Sequence, residues 1–158
     1  MSATIPVDKW LYTTVVVRDY RQVVTNFARF FGIDRWEVIR VDGKYLSNSL
    51  FEGKAAQHRW ISVFGHNGDL GIELIQPVDG PSGYQAMLDS VGEGMYGVAA
   101  SVCEPAQFET LKADLAGQGI GIRQSGTFFD AVDYYQLDTR KALANVGIEV
   151  HCPRRPDG

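Results

Sequence analysis

Glu73 and Glu149 are carboxylates at corresponding places in the two halves of the chain, and an acidic pair of this kind can do proton-transfer chemistry. Each lies inside a short apolar run, Leu70-Gly71-Ile72-Glu73-Leu74 and Val146-Gly147-Ile148-Glu149-Val150. Alternation along a strand can turn both carboxylates toward one face of a sheet. Two carboxylates near one another repel, so one acquires a raised pKa, and burial raises it further. A proton donor and a proton acceptor then share one site, as proton-transfer catalysis requires. His151 lies two residues beyond Glu149 and on the same strand face. The tail begins almost immediately after it, so the expectation is a surface histidine. His66-Asn67-Gly68 reads as a hairpin tip, and His58 precedes a strand whose inward phase the sequence leaves open. Trp60, Phe128, Phe129, Tyr134 and Tyr135 can wall an apolar pocket or fill a sheet core. Trp60 and Tyr135 are the substrate-binding candidates among them. Cys103 and Cys152 make neither a disulfide framework nor a zinc spacing, and both are expected to be structural.

These side chains need elements to position them. Residues 10–18 are mostly aromatic and β-branched and predict a strand. Asp19 suits a helix N-cap. Val23, Val24, Phe27, Phe30 and Phe31 follow at helical spacing until Gly32 stops the pattern. Residues 36–41 predict a second strand, and Asp42-Gly43 a turn. Residues 44–56 are polar and mixed and read as a loop. Residues 59–64 and 70–76 predict two more strands around the turn at 66–69. Residues 77–93 read as a linker with one small helix around 84–91. The second half repeats the order. A strand at 95–102 precedes a helix opened by Glu104-Pro105, with Phe108, Leu111 and Leu115 on its apolar face. Strands at 120–124, 131–137 and 146–152 complete it. The expected fold is α+β: two tandem β-α-β-β-β modules, about 10–76 and 94–152, in a single domain covering 1–158.

The 158 residues carry 19 acidic and 15 basic side chains, a formal net charge of -4, and are 45% hydrophobic. That is globular composition. Basic residues are scattered, so no nucleic-acid partner is expected. No apolar run is long enough to span a bilayer, and the first residues lack the charged start and apolar core of a secretory signal. A cytoplasmic protein handling a small molecule is the expectation, with no membrane partner.

Several passages in fixed order resemble the vicinal oxygen chelate superfamily (glyoxalase I, methylmalonyl-CoA epimerase, extradiol dioxygenases, bleomycin-resistance proteins), and most resemble its epimerase-like members. They are Val-Val-Val-Arg-Asp at 15–19, Phe-Phe-Gly-Ile at 30–33, Ile-Glu-Leu-Ile-Gln-Pro at 72–77, Gly-Pro-Ser at 80–82, Gly-Glu-Gly at 92–94, Gln-Ser-Gly at 124–126, Leu-Asp-Thr at 137–139 and Gly-Ile-Glu-Val at 147–150. The resemblance implies a cupped, half-barrel mixed sheet with the site inside the cup. In metal-binding members, two histidines and two carboxylates hold a divalent cation there. The carboxylate positions match Glu73 and Glu149. The histidine positions fall on Tyr12 and, within Tyr96-Gly97, on Gly97. Two carboxylates alone hold a cation weakly, and a neutral phenol is a poor ligand. No metal and no other cofactor is therefore expected.

The resulting site expectation has Glu73, Glu149 and Tyr12 as catalytic residues, with the Tyr12 hydroxyl on a substrate carbonyl or enolate oxygen. Thr14, which shares a strand face with Tyr12, joins Tyr96, Ser101, Trp60 and Tyr135 in binding substrate. The expected activity is a metal-independent isomerase, cyclase or lyase reaction next to a carbonyl of an apolar compound or acyl thioester. One alternative is a non-catalytic binding protein. Another is a divalent-metal enzyme with rearranged ligands, Glu73, Glu149 and His151. A homodimer is expected from the resemblance and from exposed sheet edges.

Overall fold

A computed structural model describes residues 4–102 and 104–154; Cys103 and its expected structural role lie outside the described residues. The elements in chain order are β1 (Val7–Val16), α1 (Tyr20–Phe31), β2 (Trp36–Val41), β3 (Leu46–Phe51), β4 (Lys54–Ala55), β5 (Arg59–Asn67), β6 (Leu70–Asp79), α2 (Gly83–Ser90), β7 (Gly94–Val102), α3 (Pro105–Gly117), β8 (Ile122–Phe128), β9 (Val132–Leu137) and β10 (Gly147–Pro153). All ten strands form one mixed sheet in the order β2-β5-β6-β1-β7-β10-β9-β8-β3-β4. The helix boundaries follow the predicted punctuation. Asp19 accepts the Arg21 amide at the start of α1, and Gly32 ends it in the left-handed region at φ 69°.

Residues 44–56 depart from the sequence expectation. They hold β3 and β4 rather than a loop. Leu46–Phe51 has little intrinsic strand character. Its conformation comes from pairing with the edge of β8, with Leu46 opposite Phe128 and Phe51 opposite Gln124. Strand formation here is a tertiary effect that local propensity does not encode. A register shift between Ser47 and Leu50 accompanies a positive φ of 52° at Asn48.

This hairpin curls the sheet. β2 stands at one end of the strand order and β3 is second from the other, yet only residues 42–45 connect them. The turn is closed by Asp42, whose carbonyl accepts the Tyr45 and Leu46 amides and whose carboxylate accepts the Lys44 amide. The two ends of the sheet are therefore brought near one another, although β2 and β4 do not pair. Val41, Leu46, Trp60, Tyr84, Tyr96 and Tyr134 form one buried cluster inside the curl.

Alternation sorts the remaining side chains. Outward-facing Ile61, Val63 and Leu74 pack under Val23, Val24 and Phe27 of α1. Outward-facing Val102, Leu137, Val150 and Cys152 pack under Phe108 and Leu115 of α3. Helix α2 behaves differently. It sends Tyr84, 1% exposed, into the interior cluster. Its first amide, Gly83 N–H, donates to Gln124 Oε1 on β8 at 2.9 Å, and Ser82 caps it by accepting the Gln85 amide at 3.1 Å. Among the described residues, no helix is long and apolar enough to cross a membrane.

Candidate active site

The ladder brings the acidic pair inside the curl. Thr14 of β1 is in register with Glu73 of β6. Farther along the same face, Tyr12 is level with Ala99 of β7, Ala99 with Glu149 of β10, and Glu149 with Gln136 of β9. Ala99 is small, and Tyr12 Oη comes within 3.4 Å of His151 Nε2. A cavity of about 210 Å³ results, lined by both glutamates, Tyr12, His151, Ser62 and Tyr84 among polar groups, with Trp60, Phe64, Ile39, Val41, Phe128, Phe129 and Val132 as walls.

The two carboxyl groups occupy different environments. Glu73 is 5% exposed. Its Oε1 accepts from Ser62 Oγ at 2.8 Å and its Oε2 from Thr14 Oγ1 at 3.1 Å. Ser62 is itself fixed, since Trp60 Nε1 donates to its Oγ at 3.0 Å. Burial, and then the charge on Glu149, push the Glu73 carboxyl up to about 8, against the lowering effect of the two hydroxyls. Glu149 is more fully supported. Its Oε1 lies 2.6 Å from His151 Nε2, and its Oε2 accepts from Tyr84 Oη at 3.3 Å and Gln136 Nε2 at 3.2 Å. Gln136 Nε2 also donates to Tyr84 Oη at 2.7 Å. Burial first, then Glu73 and Glu149, hold the Tyr12 phenol well above its ordinary pKa, so it remains a hydrogen-bond donor.

The expected site residues divide accordingly. Glu73, Glu149, Tyr12 and Trp60 line the cavity. Thr14 stands behind Glu73 and holds it. Tyr96 serves one step removed, donating through Oη to Gln136 Oε1 at 2.7 Å. That bond leaves the Gln136 amide nitrogen to face Glu149. A register shift in the β1–β7 ladder, where Thr14 opposes Gly97 but Val15 opposes Met95, accompanies the inward turn of Tyr96; bulges re-aim side chains in this way. Ser101 is level with His151 but lies outside the cavity lining.

Tyr135 requires correction. Its neighbour Tyr134 takes the inward phase, so Tyr135 points outward beneath α3, its ring tilted against Phe108 at 5.4 Å between centroids and its hydroxyl donating to Glu109 at 2.9 Å. His151 is corrected in the opposite sense: it is a cavity residue paired with Glu149, not a surface histidine. Tyr84, Ser62 and Gln136 were not legible as site residues. Only their placement on α2, β5 and β9 opposite the glutamates identifies them. His58 is buried against Trp60 and donates its Nδ1–H to the Pro81 carbonyl at 2.9 Å. Cys152 is buried, and burial above all pushes its thiol up to about 12. A larger groove of about 750 Å³ runs past β3, His58 and the Arg59–Asp79 ion pair. It contains neither glutamate, so the smaller cavity is the candidate site.

Comparison with known proteins yields no matching family model and no matching curated protein. Solved structures do match. The chain is similar to a hypothetical protein from Bacillus halodurans, at a TM-score of 0.61 and 14% identity over 95% of this chain and 97% of that one. It is similar to methylmalonyl-CoA epimerase from Mycobacterium tuberculosis, at a TM-score of 0.56 and 18% identity over 98% and 94%. A mutant 4-hydroxymandelate synthase from Streptomyces coelicolor matches at a TM-score of 0.56 and 12% identity, over 99% of this chain and 52% of that one. The curled ten-stranded sheet decides the fold together with these matches. The chain has the glyoxalase-like fold. At these identities the matches speak for architecture alone.

The glyoxalase-like fold, by the resemblance, implies a divalent ion between two histidines and two carboxylates. The donor set present does not fit one. At Gly97 an added Cβ would stand 2.0 Å from the Gly147 carbonyl oxygen, so the β7–β10 pairing leaves no space for a histidine. At the other histidine position stands the neutral Tyr12 phenol. Both carboxyl groups are already bonded to protein hydroxyls, an amide and an imidazole. Among the described residues, no group of three or more histidine, cysteine, aspartate or glutamate side chains is placed to hold a metal ion.

Proposed function

We propose that the protein is a metal-independent proton-transfer enzyme, an isomerase or lyase acting next to a substrate carbonyl. One observation carries this reading: two buried carboxyl groups share a cavity, with Glu73 favoured as the neutral acid by burial and by the charge on Glu149. Glu149 is the base. The C–H bond beside the carbonyl breaks, its proton passes to Glu149, and the bonding electrons move onto the carbonyl oxygen. The Tyr12 hydroxyl and the Glu73 carboxylic acid supply hydrogen bonds to that developing oxyanion. Return of a proton to a different carbon, or to the other face of the same carbon, completes an isomerisation without redox change. His151, Tyr84 and Gln136 position Glu149, while Ser62 and Thr14 position Glu73. The epimerase and synthase similarities support a small-molecule enzyme but specify no substrate.

The test is deuterium incorporation from heavy water into a panel of enolisable ketones and thioesters, using chelator-treated protein. At least one compound is expected to exchange, with Glu149→Gln slowing it about 10²–10⁴-fold, the usual worth of general acid–base catalysis. Equal rates in the wild type, Glu149→Gln and Glu73→Gln, or exchange that appears only with added metal, contradict the reading. Binding without exchange would favour a sequestering protein. We also propose a homodimer, supported by the sheet-end strands β2 and β4, since unpaired strand edges favour pairing, and by exposed Trp10, Phe30 and Phe31. A monomeric mass in sedimentation equilibrium contradicts that proposal.

A further inference from the structure

We infer that the cavity selects a compact, uncharged ketone and rejects carboxylates and carrier-bound thioesters. This inference rests on the proton-transfer reading of the same site and narrows its substrate class. Three observations converge on it.

The first is charge. No lysine or arginine lines the cavity. Its one basic side chain, His151, has Nε2 bonded to Glu149 at 2.6 Å. An anionic substrate group would meet the Glu149 carboxylate with no lysine or arginine in the lining to pair with. Burying an unpaired charge in such surroundings is costly, and repulsion at close range in a weakly polar interior adds to the cost.

The second is size. The cavity holds about 210 Å³. An apolar cavity of about 150 Å³ accommodates benzene, so this one accommodates about eight non-hydrogen atoms, with slightly more at its mouth. A nucleotide-bearing carrier arm would have to leave through that mouth. There Phe129 lines the cavity while remaining 57% exposed, and its ring packs 5.2 Å from Tyr45. Lys44 Nζ lies over the Tyr45 ring, 5.1 Å from its centroid, so the exclusion of a carrier arm rests on the size of the cavity and not on charge at its mouth.

The third is the distribution of polar groups. The acids and Tyr12 stand together, whereas Ile39, Val41, Phe128 and Val132 supply hydrocarbon and aromatic walls. One carbonyl is served at the polar end, and the rest of the ligand must be apolar. Phe128 stacks on Tyr134 with centroids 4.5 Å apart, giving a flat, preset wall suited to a ring.

The experiment follows the methyl resonances of Ile39, Val41 and Val132 during titration of chelator-treated protein at neutral pH. The probes are acetophenone, benzoate and acetyl-CoA. Acetophenone is expected to shift these methyls at a concentration at least about tenfold below that needed for benzoate, the scale of one unscreened like-charge contact. Acetyl-CoA is expected to leave them unmoved. In Glu149→Gln the gap between acetophenone and benzoate should narrow. Benzoate or acetyl-CoA binding as well as acetophenone, no shift with acetophenone, or an unchanged gap in Glu149→Gln would each overturn the inference. Deuterium exchange on the same samples separates it from the reading beneath it. Acetophenone that binds but does not exchange leaves the selectivity standing and removes the proton transfer. Exchange into acetyl-CoA preserves the proton transfer and removes the selectivity.

Discussion

At the scale of single residues, the chemistry depends on an asymmetry between two glutamates of the same type. Glu73 receives two hydroxyl hydrogen bonds in a buried corner, whereas Glu149 is met by an imidazole, an amide and a phenol. Glu73 must keep its proton to act as the acid, so the exchange rate should fall as pH rises through about 8. Glu73→Gln should remove that limb, and a pH–rate profile of both proteins checks it. Ser62→Ala carries two expectations. Its hydroxyl lowers the Glu73 pKa, so its loss should move the limb to higher pH. It also leaves Trp60 Nε1 without its acceptor, at about 1–3 kcal/mol of stability, measurable by urea denaturation. The two glutamates were legible in the sequence because they occupy corresponding places in the two repeated runs, 70–74 and 146–150, and fall on the carboxylate positions of the superfamily that the chain resembles. Their partners were not. Ser62, Tyr84 and Gln136 are ordinary strand or helix residues until the fold sets them opposite the carboxylates. The placement of His151 was misjudged because proximity to the end of the strand says nothing about which face of a curled sheet is covered.

At the scale of elements, backbone contacts decide which side chains are allowed. Strand β7 approaches β10 so closely that a Cβ at Gly97 would collide with the Gly147 carbonyl. Gly97→Ala should therefore destabilise by at least about 3 kcal/mol, the upper end of overpacking costs, as a shift in the denaturation midpoint. Wild-type stability would show that the strands can separate to admit a side chain. Gly83 plays the matching part for α2: an added Cβ there would lie 2.1 Å from Tyr96 Oη. Gly83→Ala should displace the Tyr96–Gln136–Tyr84 chain and slow exchange while Glu149 itself is intact. Helix α1 could be read almost to the residue, because Asp19 and Gly32 are local signals. β3 could not, because its conformation depends on an edge of β8 about 75 residues away in the chain, a distance no propensity spans, and β4 pairs only with β3. Likewise Tyr134 and Tyr135 are interchangeable in a pattern of aromatic residues, and only the pairing of β9 with β8 and β10 fixes which of them faces inward.

At the scale of the whole molecule, a curled sheet stores a neutral carboxyl group in its interior, and stability should register the cost. The folded Glu73 pKa is raised from an ordinary 4.5 to about 8. Between those values the native state holds a proton that the unfolded chain has released. The Glu73 contribution to stability is thus fully present below pH 4.5 and declines as pH rises toward 8, with a slope of at most about 1.4 kcal/mol per pH unit. Subtracting the pH–stability curve of Glu73→Gln from that of the wild type isolates this contribution, which should fall with pH; a flat or rising difference contradicts it. The duplicated strand–helix rhythm made the overall architecture legible, whereas the approach of the two sheet ends across the 42–45 turn was not, since the sequence never marks those ends as neighbours. The most direct test is a carbon-13 NMR titration of the Glu73 carboxyl carbon in chelator-treated protein, assigned by its loss in Glu73→Gln. The account predicts a midpoint near pH 8; a midpoint in the ordinary glutamate range would contradict it.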